Sequence, residues 1–492
     1  MQRQLITADD DIAQPYTGYK GSNRIISILP TVITVALLGW LIAQFVTNFS
    51  GYYIVVGVAA LVLGFALVRN LQIGVLAYFF IAALAFGESP EVQSPNSGYS
   101  AGLMPSQVLL AFLAILWLGK MVFSDGFKLV KSELNLPLGI LAVVALFSLV
   151  TNNVLRGTRE LLFHQMILTQ VAEVGLLYFS IAAFFLAANT IKDRKWIKRI
   201  FVPVVLVGSY YTVFELRDMD FPIPLVWGGL ILASAIAFVY ARLLFDKLDR
   251  LRAMGLSLLL AVMLFTAYRN MAWVSGSIAV TVAILVVSYY RSRALAVILL
   301  ILALAALFVY PGIYFSIHEE SHVGGDFDRF VIWQDAFHMF TSVNPILGIG
   351  PGNYHPYVYY YNTIWFGSRT YTTAHSNYMQ MTAELGLVGL AVFLWVIVAA
   401  VRVGNRAART VSSDMKWLGV AATSIFVAIA VSSIFGDYLF PSRGNNGIVN
   451  FGTTVYTWLI LGAAVAAGTP RVGDWETGRR GEPESDSSQP SE

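Results

Sequence analysis

Long apolar runs broken by short polar turns repeat from one end of this chain to the other. A helix crosses the hydrocarbon core of a bilayer with about 20 apolar residues. Runs at 26–46, 52–68, 71–87, 106–123, 135–151, 168–190, 200–214, 222–245, 253–268, 271–290, 294–312, 384–401, 417–436 and 448–467 therefore predict an all-α integral membrane protein with about fourteen spanning helices. The basic residues test that reading, because loops left in the cytosol carry the excess of lysine and arginine. With the tail 1–25 inside, Arg69, the group Lys120, Lys128 and Lys131, and the run from Lys192 to Arg199 all fall in the cytosol. The same register places Arg242, Lys247, Arg250 and Arg252, then Arg291 and Arg293, then Arg402, Arg406, Arg409 and Lys416 there too. Both termini are expected inside, and the stretch 468–492, mixing Gly, Pro and Ser with both charges, is expected to be disordered.

Composition agrees with the pattern. Hydrophobic residues make up 57% of 492 and charged residues only 12%, against about 25% charged in soluble proteins. The mean hydropathy is +0.67. With no cysteine, disulfide and thiolate chemistry are excluded. The net charge of +3 says little about partners, and no part of the pattern points to nucleic acid. Residues 1–25 include Asp9, Asp10 and Asp11 and lack a signal-peptide pattern.

The register makes its exceptions visible. On the outer side stand Arg156 and Arg159, Arg217, Arg269, Arg329, Arg369 and Arg443. An arginine held against the inside bias calls for a reason, and one reason is an anion, since guanidinium grips phosphate oxygens in a bidentate fork. Local ion pairs are the alternative, Arg156 or Arg159 with Glu160 and Arg217 with Asp218. The turn of Arg269 and Asn270 holds no acid, which favours the anion there.

One outer loop is long, 313–383. Asp326 or Asp328 could cap a helix whose Phe330, Trp333, Phe337 and Phe340 fall at helical spacing, ending before Pro345. A glycine turn, Gly348-Ile349-Gly350-Pro351-Gly352, follows; without a strand-turn-helix unit around it, it is no nucleotide-phosphate loop. Then come Tyr354, Tyr357, Tyr359, Tyr360, Tyr361, Trp365, Phe366 and Tyr371, rings suited to stacking on sugars or to an interfacial belt. The loop closes on the polar island His375-Ser376-Asn377-Tyr378, with Gly386 and Gly389 beyond it. Polar clusters at a membrane edge are costly to keep and mark function. This island is the candidate active site.

These elements, in this order, resemble the O-antigen ligase and polymerase superfamily of bacterial polysaccharide assembly. The resemblance covers about 255–400 and rests on Thr266-Ala267-Tyr268-Arg269, Arg329 with Trp333, Pro345-Ile346-Leu347-Gly348-Ile349-Gly350, and His375-Ser376 with Gly386 and Gly389. Tyr268 stands where the family usually has serine. The resemblance implies a metal-independent, cofactor-free transferase at the outer face of the cytoplasmic membrane. Its donor would be a glycan on a polyprenyl diphosphate lipid, and its acceptor a saccharide or lipid-linked sugar. His375 would be the general base or orient the acceptor hydroxyl, and Arg269 would neutralise leaving-group charge. Arg329, Arg156, Arg159 and Arg217 would be further diphosphate ligands, and Ser376, Asn377, Tyr354, Tyr371 and Trp365 glycan contacts.

Two features pull elsewhere. Asp218-Met219-Asp220 has the spacing of a metal-binding Asp-x-Asp but no soluble domain around it. Glu173, a carboxylate inside the sixth run, would suit a proton-coupled transporter or lipid-glycan flippase. Polar residues gathered at one face favour the enzyme. One long outer loop with a modest second at 88–105 favours ligase over polymerase.

Overall fold

The computed structural model describes residues 70–82, 105–125, 129–154, 166–191, 193–217, 228–269, 274–309, 329–358, 373–410, 415–442 and 447–468. The first two predicted spans, the two tails, Arg156, Arg159, Asp218 to Asp220, Asp326, Asp328, Trp365, Arg369, Tyr371 and Arg443 lie outside the described residues.

Among the described residues the regular elements are all helical. They are α1 (Leu71–Ile81), α2 (Pro105–Lys120, continued by a π-helical turn, Met121–Asp125), α3 (Asn135–Val154), α4 (Met166–Thr190), the short α5 (Arg194–Arg199), α6 (Phe201–Leu216) and α7 (Gly228–Phe245). Then follow α8 (Arg250–Arg269), α9 (Val274–Arg291), α10 (Arg293–Val309), α11 (Arg329–Val343), α12 (Asn377–Thr410), α13 (Lys416–Ser432) and α14 (Gly447–Gly468). Each predicted span from the third onward coincides with one of these helices. Six of the described helices are long and apolar enough to cross a membrane, and shorter apolar helices occupy other runs. Helix count and sidedness remain expectations of the hydropathy and charge pattern.

The chain divides into two compact units, residues 1–70 with 115–128, and 71–114 with 129–492. Of the first, the described parts are Asn70, the end of α2 and its π turn. In the second, α13 is buried along almost its whole length and packs against α7, α9, α12 and α14. Its small residues permit this: a Cβ on Gly419 would meet the backbone of Ala408 on α12 at 2.6 Å, the close approach that small residues allow between membrane helices. By contrast Leu251, Met254, Leu258 and Phe265 of α8, and Ile298, Ile301 and Leu302 of α10, are exposed. Exposed apolar faces of this extent suit lipid contact.

Hydrogen bonds sort the helix ends into two groups. The amide N–H of Val130 donates to Asn189 Oδ1 (2.8 Å), the Tyr290 hydroxyl donates to Asn405 Oδ1 (3.0 Å), and Arg406 pairs with Glu133. All of these ends are expected to be cytosolic. At the opposite ends, Ser148 donates to the Leu347 carbonyl (3.0 Å), Arg269 to Leu216 (3.0 Å), Ser432 to Ser275 (2.9 Å) and Asn377 to Phe440 (2.7 Å).

Candidate active site at the head of a broken helix

The residues around His375 are held by a dense set of hydrogen bonds. Ser376 is the N-cap of α12; its Oγ accepts from the Met379 N–H at 3.4 Å. The Asn377 N–H donates to the carbonyls of Ser433 and Gly436, at 3.0 and 3.2 Å. Its side-chain oxygen accepts from the amides of Leu439 (2.7 Å) and Phe440 (3.1 Å) while its Nδ2 donates to the Phe440 carbonyl (2.7 Å). The helix start is thereby riveted to the segment 433–440 that follows α13.

His375 itself is half-buried, with φ +46°, the one described residue other than glycine in the left-handed region. That conformation costs a residue with a Cβ about 1–2 kcal/mol and persists only where its surroundings enforce it. The neighbours do so. Trp333 Nε1–H donates to the Ala374 carbonyl (3.1 Å), Gln380 Oε1 accepts from the Ala374 N–H (2.9 Å), and the His375 N–H donates to Thr373 Oγ1 (3.1 Å).

Arg329, at the first turn of α11, donates from Nη1 to the Phe435 carbonyl and lies close enough to His375 for its charge to be felt. Burial chiefly, and the Arg329 guanidinium next, hold the imidazole pKa down to about 4. His375 is therefore neutral at physiological pH, an acceptor rather than a cation.

Residues 255–394 match a family model described as O-antigen ligase. That segment is O-antigen ligase-like. The match begins inside α8 and ends inside α12, so it takes in Arg269, Arg329, the glycine turn and His375. No curated protein matches the chain.

The ligase-like segment also contains a break that explains two of its glycine motifs. α12 loses helical geometry at Gly386, whose φ of 67° and ψ of −164° only glycine adopts readily. The break frees backbone groups, and the turn 345–350 satisfies them as a short ladder. Ile349 and Gly350 donate to the carbonyls of Ala383 and Glu384, both at 2.9 Å, while Leu387 and Val388 donate to Pro345 and Ile346 at 3.0 and 3.2 Å. Contact is so close that a Cβ on Gly386 would sit 2.3 Å from the Ile346 carbonyl oxygen, and one on Gly348 2.4 Å from Glu384 backbone carbon. The glycines serve backbone approach, and the approach is to another part of the chain.

Several expected contacts take other roles. Tyr354 is 1% exposed, its ring in a cluster with Ile332, Ala336 and Ile349 and its hydroxyl donating to the Ile332 carbonyl at 3.2 Å. Burial first, then the charges of Asp335, Asp437 and Glu384, raises its pKa well above the usual value. It is core, not a surface for stacking sugars, because its ring has no open face. Asn377, with both ends of its amide engaged, is an anchor instead of a glycan contact, and Ser376, 1% exposed, is a cap. On α11 the buried stripe is Ile332, Ala336, Met339 and Phe340, while Phe330 and Phe337 are exposed; this helix is apolar on more than one face, so spacing of aromatics alone misplaces its core side.

Arg269 and Arg217 are both exposed and meet at the end of α6: Arg269 Nη1–H donates to the carbonyl of Leu216, beside Arg217. A cation at a helix C-terminus is stabilising there.

Sequence reading passed over the segment 432–442, which touches α9, α11 and α12, and its buried Asp437. It also passed over Gln380 and Glu384. Their spacing from Asn377, three and seven residues, is a polar stripe on an apolar helix and was the available signal. Below the site, Glu173, Gln380, Glu384, Pro351 and Phe440 line a small cleft of about 30 Å³.

Proposed function

We propose that this protein transfers a glycan from a polyprenyl diphosphate carrier to an acceptor hydroxyl at the outer face of the cytoplasmic membrane. The observation that carries the reading is the pairing of Arg329 with a neutral, conformationally restrained His375 inside the ligase-like segment. The acceptor oxygen attacks the anomeric carbon, the bond to the diphosphate breaks, and the lipid diphosphate leaves with the electron pair. Arg329 sits where that charge grows, with Arg269 and Arg217 as a second cationic point; preorganised charge of this kind lowers the barrier without a metal. An imidazole nitrogen of His375 takes the acceptor's proton. A pKa of about 4 makes a weak base. A diphosphate seated against Arg329 offsets one of the two causes of that depression, so basicity rises when the donor is bound.

The transporter reading draws on Glu173 and on the broken helix, since broken helices supply ion sites in transporters. Here the carbonyls of Ala383 and Glu384 are already taken by the 345–350 turn, which favours the enzyme. Within the enzyme reading, ligase is preferred to polymerase.

The deciding experiment follows lipid-linked glycans by size in cells lacking this gene. Long chains left on the lipid mean a ligase and single repeat units mean a polymerase. Complementation with His375→Ala, inserted normally, should leave the accumulation in place. Repeat units trapped on the cytosolic leaflet would overturn the enzyme reading.

A further inference from the structure

The backbone on either side of His375 is not held by its immediate neighbours alone. The Ala374 N–H donates to Gln380 Oε1 at 2.9 Å, and Gln380 Nε2–H donates to Glu384 Oε1 at 2.8 Å. Glu384 Oε1 is approached in turn by the Tyr354 N–H at 3.4 Å. Gln380 and Glu384 are 4% and 5% exposed, so water does not compete for these bonds. The orientation of the Gln380 amide is determined by chemistry: the Ala374 N–H can only donate, so the amide oxygen faces it and the amide nitrogen faces Glu384 Oε1. With Trp333 holding the Ala374 carbonyl from α11, the peptide groups on both sides of Ala374 are held.

We propose that Gln380 is a positioning residue for the transfer reaction, holding His375 in its left-handed conformation, and that Glu384 sets the direction of the Gln380 amide. The proposal rests on the transferase reading for its catalytic consequence, though the hydrogen-bond relay itself does not. Gln380 touches no reacting atom. It acts by fixing Ala374, and a displaced catalytic group costs far more in turnover than in binding.

The test is a swap. In Gln380→Glu a second acid faces Glu384, with Glu173 on the same cleft, and the relay is broken because the N–H donor to Glu384 is gone. In Glu384→Gln the relay survives in weaker form. In the double variant the carboxylate at 380 accepts from both the Ala374 N–H and the amide at 384; because one Glu384 oxygen takes both Gln380 and Tyr354 in the parent, the longer Tyr354 bond is given up while the link from 384 through 380 to Ala374 is rebuilt. Gln380→Glu is expected to lower kcat about 10²-fold with KM little changed, and the double variant to recover part of it. Wild-type kcat in Gln380→Glu, no recovery in the double variant, or a loss confined to KM would overturn the proposal.

A second readout needs no donor. Purified full-length protein is treated with diethylpyrocarbonate at pH 7, and modification of the peptide carrying His375 is followed by mass spectrometry. Modification should speed several-fold in Gln380→Glu and return towards wild type in the double variant. That pattern in a protein without transferase activity would sink the transferase reading and leave the positioning role standing. Transferase activity with equal modification rates in all variants would do the reverse.

Discussion

At the residue scale, His375 and Asn377 divide the work that their shared motif leaves undivided. His375 is strained and half-buried beside Arg329, and Asn377 is spent on backbone. Arg329→Gln removes the second of the two causes that depress the His375 pKa, so the value should rise from about 4 towards 6.5 without reaching it, because burial is the larger cause and remains. The sign is definite: at pH 5 the variant carries more imidazolium than the parent, and the pH profile of diethylpyrocarbonate modification should shift upwards. An unshifted profile would mean that Arg329 does not act on His375. Because the folded-state value is depressed, the neutral imidazole's contribution to stability is complete above 6.5 and is lost as pH falls towards 4. For Asn377→Ala, the amides of Leu439 and Phe440 and the Phe440 carbonyl lose their buried partner. A cost of about 2–4 kcal/mol is expected from the unmade bonds, read as a lower melting temperature in detergent. A change confined to acceptor KM would restore Asn377 to the glycan contacts.

At the element scale, the break in α12 gives a sharper contrast. Gly386→Ala places a methyl 2.3 Å from the Ile346 carbonyl oxygen at a φ of +67°, and neither partner is a flexible side-chain end. Backbone strain and overpacking together should cost about 3 kcal/mol. Gly255, in the interior of α8 with nothing within 4 Å, is the control; its change to alanine should be stabilising by about 0.5–1 kcal/mol. Equal melting temperatures for the two variants would refute the ladder. The same helix shows what could be read from the chain and what could not. Its apolar run was plain from 384 onwards, but the helix begins at Asn377, because Ser376 caps it and the polar residues of its first turns are buried against 433–440. Hydropathy locates the lipid-crossing part and is silent on helix that continues into protein. The helix 329–343, its end before Pro345 and the turn at Gly348 were legible, since each has a local signature. The segment 432–442 was not: its role lies in carbonyls offered to Asn377 and Arg329, and backbone groups have no sequence signature.

At the scale of the whole molecule, the question is which of the two groups of helix ends faces outward. Hydrogen bonds group Val130, Glu133, Asn189, Tyr290, Asn405 and Arg406 on one side, and Ser148, Leu216, Arg269, Ser275, Leu347, Asn377, Ser432 and Phe440 on the other. Lysine and arginine abound near the first group, at Lys131, Arg291, Arg293, Arg402 and Arg409, which the inside bias assigns to the cytosol. The absence of native cysteine makes the assignment directly measurable. Ser292→Cys lies between α9 and α10, and Thr341→Cys on the exposed side of α11; both parent residues are exposed. In intact cells a membrane-impermeant maleimide should label the thiol at 341 and leave that at 292 untouched until the membrane is opened. His375 packs on the same side as α11, through the bond from Trp333 to Ala374. The label at 341 therefore reports the side of the active site itself. Labelling at 292 alone would put His375 and Arg329 in the cytosol, where a donor displayed on the outer leaflet could not reach them, and the proposed transfer would fail with the topology.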